Sequence, residues 1–296
     1  MSDVGSSKAG LLHALIAYTI WGVMPLFFKQ LEDINPFVVV AHRTVWSVLL
    51  LIIILALVKR LPEYRTIFTT PKLLIAVTLS SFLIATNWLV YIWSIQNDHI
   101  LAASLGYFLN PLLNVVLGFV ILKESLNRWQ ILAVLLALAG VVILSLGSLD
   151  TIWISLSLAA SFGFYGLMRK ITPVASVPGL ASETTILMPI GICFIIYTQY
   201  VGGFNGMGYS GKTDIFLILG GFVTAVPLML FASAAKKITY TTLGFIQYIG
   251  PTIQMLLAIF LYDEKLTMPY AICFAFIWLA LAVYSINGFY MSKAQK

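Results

Sequence analysis

Arg43 and Glu183 are the residues with the most chemistry to offer. Both fall inside long apolar stretches, they carry opposite signs, and they stand 140 positions apart. A charge at the centre of a bilayer costs roughly 2.5–3.5 kcal/mol on insertion scales, so neither side chain is expected to face lipid. A carboxylate in that setting can take up and release a proton, and a guanidinium can bind substrate or tune that titration. The plainer reading is a static ion pair, or an arginine that snorkels to the nearer interface.

A second group is made of amides and aromatics. Tyr107, Asn110 and Asn114 are spaced three and four apart and share one helical face. Pro111 removes a backbone donor and frees the carbonyl about four residues earlier, near Tyr107. Gln247, Tyr248 and Gln254 form a matching set, with Gly250-Pro251 acting on the backbone in the same way. A polar face beside a free carbonyl suits hydrogen bonding to a small amphipathic solute, with Pro111 and Pro251 as helix-breaking hinges. The structural alternative is interhelical amide glue, worth about 1 kcal/mol per bond. Asn87, Trp88, Tyr91 and Trp93 form a third cluster, and Trp21, Trp46 and Tyr165 add aromatic surface. Such walls bind planar molecules by stacking. Tryptophans near span ends also serve as interface anchors, so Trp88 and Tyr91, away from the ends, are the candidates of this set.

These residues need a membrane scaffold to hold them. Sixty per cent of the 296 residues are hydrophobic and 9% are charged, with a mean hydropathy of +0.99. A soluble domain of this size could not bury so much apolar surface. Windows of about 20 residues give ten spans, near 9–28, 36–58, 73–95, 100–121, 128–146, 151–168, 178–200, 215–235, 240–261 and 269–290. The first reads as a retained helix and not a cleaved signal, since no small-residue cleavage site follows it. Connectors 59–72 and 201–214 are the longest, and too short for a catalytic domain. Cys193 and Cys273 lie in apolar stretches and read as core residues. His13, His42 and His99 form no ligand spacing, and no metal or cofactor is expected. The chain lacks a phosphate-binding Gly-Lys-Ser/Thr loop, a His-Glu-x-x-His helix and a Gly-x-Ser-x-Gly elbow. An enzyme is therefore not expected, although an intramembrane enzyme or a non-transporting sensor stands as the alternative of another class.

The spans repeat. Asn110-Pro111…Asn114…Lys123-Glu124 returns 140 residues later as Gly250-Pro251…Gln254…Asp263-Glu264, and Lys29 returns as Arg169. Five spans per repeat is an odd number, which turns the second copy upside down. An all-α membrane protein follows, with ten transmembrane helices as an inverted five-plus-five repeat over 1–148 and 149–296 and its site near mid-membrane. Thirteen of the 17 lysines and arginines fall in connectors on one side, against Lys29, Lys212 and Lys265 on the other. The excess of positive charge places both termini in the cytoplasm, and the net charge of +6 suits anionic lipid, not nucleic acid. Glu124 and Glu264 each precede a span and are expected to stabilise that next helix's N-terminus.

The chain also resembles a known family. "AYTIWGVMPLFFK" (17–29), "AHRTVWS" (41–47), "NWLVYIWS" (87–94), "ASLGYFLNPLLNVVLG" (103–118), "FYGLMRK" (164–170) and "TLGFIQYIGPTIQMLLAI" (242–259) look like RarD-type permeases of the EamA family, in the drug/metabolite transporter superfamily. The resemblance implies a ten-helix inner-membrane permease, linked by family naming to chloramphenicol. The resulting expectation is a secondary transporter that exports small amphipathic drugs or metabolites by alternating access, with proton coupling at Glu183 or simple facilitated flow. An importer or facilitator of amino acids, nucleobases or related metabolites is the alternative. The fifth and tenth spans carry the fewest interior polar groups and are expected to brace the bundle or form a homodimer face.

Overall fold

The computed structural model describes residues 2–123, 125–147, 149–202, 204, 206–235, 237–238 and 246–294. Glu124 and the start of the ninth expected span lie outside the described residues.

The apolar runs fold as helices, and local sequence sets their ends. Helix α1 covers Ser2–Phe28, α2 Pro36–Leu57, α3 Leu61–Thr69, α4 Pro71–Gln96, α5 Ile100–Val120 and α6 Arg128–Gly147. They are followed by α7 Leu149–Ile171, α8 Ser176–Gly202, α9 Gly211–Ala235, α10 Ile249–Phe260 and α11 Met268–Ala294. Asn35 caps α2 by accepting from the Phe37 N–H at 2.9 Å, with Pro36 in the first turn, where its missing N–H is not needed. At α6 the cap is reciprocal: Asn127 Oδ1 accepts from the Trp129 and Gln130 N–H groups, and Gln130 Oε1 accepts from the Asn127 N–H. The chain leaves α2, α4, α5 and α10 through left-handed residues, Lys59, Asp98, Lys123 and Asp263, with φ between 51° and 57°. Lys123 and Asp263 are the repeated pair of the sequence.

Among the described residues nine helices are long and apolar enough to cross a membrane, and α10 is a shorter apolar helix. Helix α3 is too short to span and falls in the 59–72 connector. Leu49, Ile53, Leu57, Ile75, Leu79, Phe82, Leu135, Leu138 and Val142 all point outward. An apolar surface of that extent belongs against acyl chains, so the chain is a multi-pass, all-α membrane protein.

Packing is helix on helix. Helix α2 lies along α8, and α6 along α11. Helices α5 and α7 are in contact, as are α1 and α10, α2 and α9, α4 and α8, α1 and α9, and α4 and α7. Two glycines set the close approaches. A Cβ on Gly106 would fall 2.8 Å from the Ser155 carbonyl oxygen on α7, and one on Gly22 would fall 2.8 Å from Ile253 Cβ on α10. Small residues of this kind let membrane helices pack backbone to backbone.

Candidate functional site

Arg43 lies about two turns inside α2, about 10 Å along the helix from Pro36 at 1.5 Å per residue, and is 4% exposed. Its Nε donates to Thr224 Oγ1 on α9 at 2.5 Å. The guanidinium lies over the Trp88 ring at 4.3 Å and over Phe28 at 5.5 Å, a cation–π arrangement that partly replaces lost hydration. Tyr91 and Tyr107 stand within electrostatic reach, with their ring centroids 5.5 Å apart. The Tyr107 hydroxyl donates to Asn87 Oδ1, and Asn87 Nδ2 donates to the Leu158 carbonyl and to Ser161 Oγ, each at 3.1 Å. Arg43 Nη1 and the Tyr91 hydroxyl are buried with no hydrogen-bond partner among the described residues, and no described carboxylate forms an ion pair with Arg43.

Glu183 sits at the other end of the bundle, about 10 Å into α8 from Ser176, and is fully buried. Ser80 Oγ on α4 donates to its Oε1 at 2.7 Å, and Tyr165 on α7 donates to its Oε2 at 3.1 Å. Arg169 Nη1 comes within 3.5 Å of Oε1. Arg169 is held in turn by the Ala175 and Ser176 carbonyls, each at 3.3 Å. Arg43 and Glu183 are therefore not each other's partners. Each occupies its own end, and of the two only Glu183 has a counter-ion among the described residues.

Asn110 and Asn114 belong to α5 and Gln254 to α10. Asn110 and Gln254 are buried, and Asn110 Oδ1 and Gln254 Oε1 have no partner among the described residues. Gln254 Nε2 donates to the Trp21 carbonyl at 2.9 Å, and Ser104 Oγ donates to the Pro251 carbonyl at 2.7 Å. Tyr248 stacks on Phe108 with centroids 6.1 Å apart. Pro111 lies within α5, which runs on through it. Gln247 is half-buried, and Asn114 is exposed, apart from the buried Asn110 on its own helix. Thr224, Phe28, Ser80 and Arg169 are the site residues that sequence reasoning missed. Of these only Arg169 carried a signal, as the repeat partner of Lys29.

Polar contacts tie the connectors together at the end nearest Arg43. Glu264 accepts from the Ile100 N–H at 2.6 Å and the Leu101 N–H at 2.9 Å, capping α5. This differs from the expected cap on the next helix. Pro269 in the first turn of α11 has no N–H to offer, and the left-handed turn at Asp263 redirects the chain. His99, at the start of α5, gives no side-chain cap, so that helix presents free donors. Lys29 bridges Asp98 at 2.7 Å and Glu32 at 3.1 Å, and Gln96 Nε2 donates to the Leu31 carbonyl at 2.6 Å. Burial pushes the Glu264 carboxyl up to about 7, against the two N–H groups that pull it down.

Known proteins are similar in sequence over nearly their whole length. An uncharacterized transporter of Pseudomonas aeruginosa is 43% identical across 95% of this chain and 94% of its own. Protein RarD of Escherichia coli is 39% identical across 98% of both chains. The EamA-like transporter family model matches residues 8–146. The chain belongs to the EamA family. Within it the protein is a RarD-type membrane permease. A crystal structure of a protein 19% identical to the permease superposes with a TM-score of 0.61, over 94% of this chain and 98% of that one, a likeness of fold.

Proposed function

We propose that the permease is a secondary carrier that exports small amphipathic drugs or metabolites across a bacterial inner membrane by alternating access. The observation that carries this reading is the placing of Arg43 and Glu183. Two repeat-matched positions hold buried charges at opposite ends of one bundle, each in a polar cluster contributed by several helices. Buried ionisable groups in a membrane are costly, and a transport path is the usual reason to keep them.

The architecture proposed is ten spans in two inverted repeats, 1–148 and 149–296, with both termini in the cytoplasm. The helix contacts support it. If the first five spans exchange with the second five, α5–α7 becomes α10–α1, α2–α9 becomes α8–α4, and α1–α9 becomes α7–α4. Lys123 and Asp263 share their left-handed backbone as well as their place in the repeat. On this orientation the Glu264 end is the outer one and is closed. Substrate would contact Arg43, Trp88, Tyr91, Tyr107, Asn110, Asn114, Gln247, Tyr248 and Gln254, with Pro111 and Pro251 as hinges. Glu183 would carry the coupled proton. Helices α6 and α11 expose Leu135, Leu138 and Trp278, which suits lipid contact or a homodimer face.

The test is transport in sealed proteoliposomes of radiolabelled chloramphenicol, an amino-acid panel and a nucleobase panel, with and without an imposed pH gradient. Saturable movement is expected, with the pH-driven component lost in Glu183→Gln. PH-driven transport retained in that variant removes the proton-coupling role. No movement of any solute by a folded protein removes the carrier reading in favour of a sensor.

A further inference from the structure

Resting on the carrier reading above, we propose that the Arg43 cluster takes a monoanionic organic acid, its carboxylate meeting Arg43 Nη1 and the Tyr91 hydroxyl and its apolar body lying against the surrounding rings. The asymmetry between the two repeat-matched charges leads there. Glu183 is satisfied on both oxygens and has Arg169 beside it. Arg43 spends Nε on Thr224 and leaves Nη1 without a partner, 4% exposed and with no described carboxylate to pair with. A buried charge without a counter-ion is costly unless something neutralises it. Tyr91 adds a second orphaned polar atom to the same cluster, while Tyr107 is already committed to Asn87.

The stoichiometry selects the ligand. One guanidinium balances one negative charge, so a carboxylate leaves the site neutral, whereas a phosphate dianion leaves a net negative charge buried. A neutral solute leaves Arg43 as it is. The guanidinium offers parallel donors to the two carboxylate oxygens, and Trp88, Phe28 and Tyr91 present ring faces and edges to an apolar or aromatic body. Chloramphenicol, a neutral molecule, does not meet this requirement.

The experiment uses the purified full-length chain and matched pairs of solutes that differ only in charge: 3-phenylpropionate, indole-3-acetate and hexanoate, each against its primary amide. Thermal unfolding reads binding, and counterflow of the radiolabelled acids in proteoliposomes reads transport. Acids are expected to stabilise the protein and to move, with the amides at least tenfold weaker. Arg43→Gln should lose the acids at least tenfold, and Arg43→Lys should keep part of the response. Tyr91→Phe, which leaves the ring packing in place and removes a hydroxyl without a partner, should weaken the acids without lowering the ligand-free melting midpoint. Acids and amides moving equally well, unaffected by Arg43→Gln, would overturn the anion assignment and leave the carrier standing. Acids that stabilise but do not move would uphold the anion site and overturn the carrier reading. If no acid binds, the assignment fails.

Discussion

Glu264 gives the contact between the 261–267 connector and α5 a definite pH response. Its carboxyl bonds the first two N–H groups of α5, and the groups that face it are Asp98, Lys29 and Tyr270. Asp98 repels it, Lys29 attracts it, and burial outweighs both the attraction and the N–H bonds, moving the carboxyl from 4.5 up to about 7. Lifting the 261–267 connector away from α5 returns the group to water and toward its ordinary value. The closed end therefore binds a proton more tightly than the open end. Between pH 4.5 and 7 the closed form holds a proton that the open form has released, so closure loses ground as pH rises through that window and is strongest below it. At 1.36 kcal/mol per pH unit the span amounts to about 3 kcal/mol, a change on the order of 10²-fold in the closed-to-open ratio.

Amide hydrogen exchange measures this directly. Protection of the Ile100 and Leu101 N–H groups, in the full-length chain reconstituted in lipid and corrected for intrinsic exchange, reports the opening equilibrium. From pH 5 to pH 8 the protection is expected to fall on the order of 10²-fold. Glu264→Gln removes the charge and keeps one acceptor oxygen, so its protection should be flat across the range. Protection that is constant in the native chain, or that rises with pH, would refute the reasoning.

Three further substitutions test the packing and the clusters. Asn87→Ala strands the Tyr107 hydroxyl, while Ser161 keeps its bonds to the Ser157 and Leu158 carbonyls; at about 1–3 kcal/mol for a buried group left unsatisfied, the melting midpoint in detergent should drop by several degrees. Gly106→Ala forces α5 and α7 apart, because its Cβ meets Ser155 and Leu158 at 2.8 and 3.0 Å, whereas Gly166→Ala has nothing within 4 Å and serves as the neutral control; equal midpoints for the two variants would contradict the close packing. Arg169→Gln leaves Glu183 buried beside no cation, a loss of about 3 kcal/mol for a broken buried pair. Glu183→Gln added to it should recover much of that loss in a double-mutant cycle, and strictly additive effects would mean that the 3.5 Å contact contributes nothing.

How much of this was legible beforehand depends on how local the cause is. The spans are local, since a run of apolar residues must be a helix in lipid, and α1, α2 and α4 to α9 fall where hydropathy places them. Helix α3 escaped because Leu61–Thr69 is short and mixed, and nothing in it exceeds the signal of an ordinary connector. The 140-residue offset was legible because Pro111 and Pro251 recur with Glu124 and Glu264, and the shared left-handed turn at Lys123 and Asp263 gives that recurrence a backbone meaning. Partners were not legible. Thr224 reaches Arg43 across 181 positions, and Ser80 reaches Glu183 across 103, and neither residue type is unusual in an apolar helix.

Depth was the one non-local quantity the sequence could supply, and it left a pairing of Arg43 with Glu183 open: each lies about 10 Å from the entry of its helix, and only the contacts with Thr224 and Arg169 show that they are held separately. The repeat also carried the identity of the missing cation. Lys29 and Arg169 share an offset of 140, and each stands at the end of a long helix, α1 or α7, as an ion-pair donor, Lys29 to Asp98 and Glu32, Arg169 to Glu183. Arg169 therefore neutralises the carboxylate that stands at Arg43's repeat position, while Lys29 spends its charge on Asp98 and Glu32. That division leaves Arg43 without an ion pair among the described residues, and it is why, on the proposal above, the substrate's charge, more than its size or aromaticity, is the property to measure.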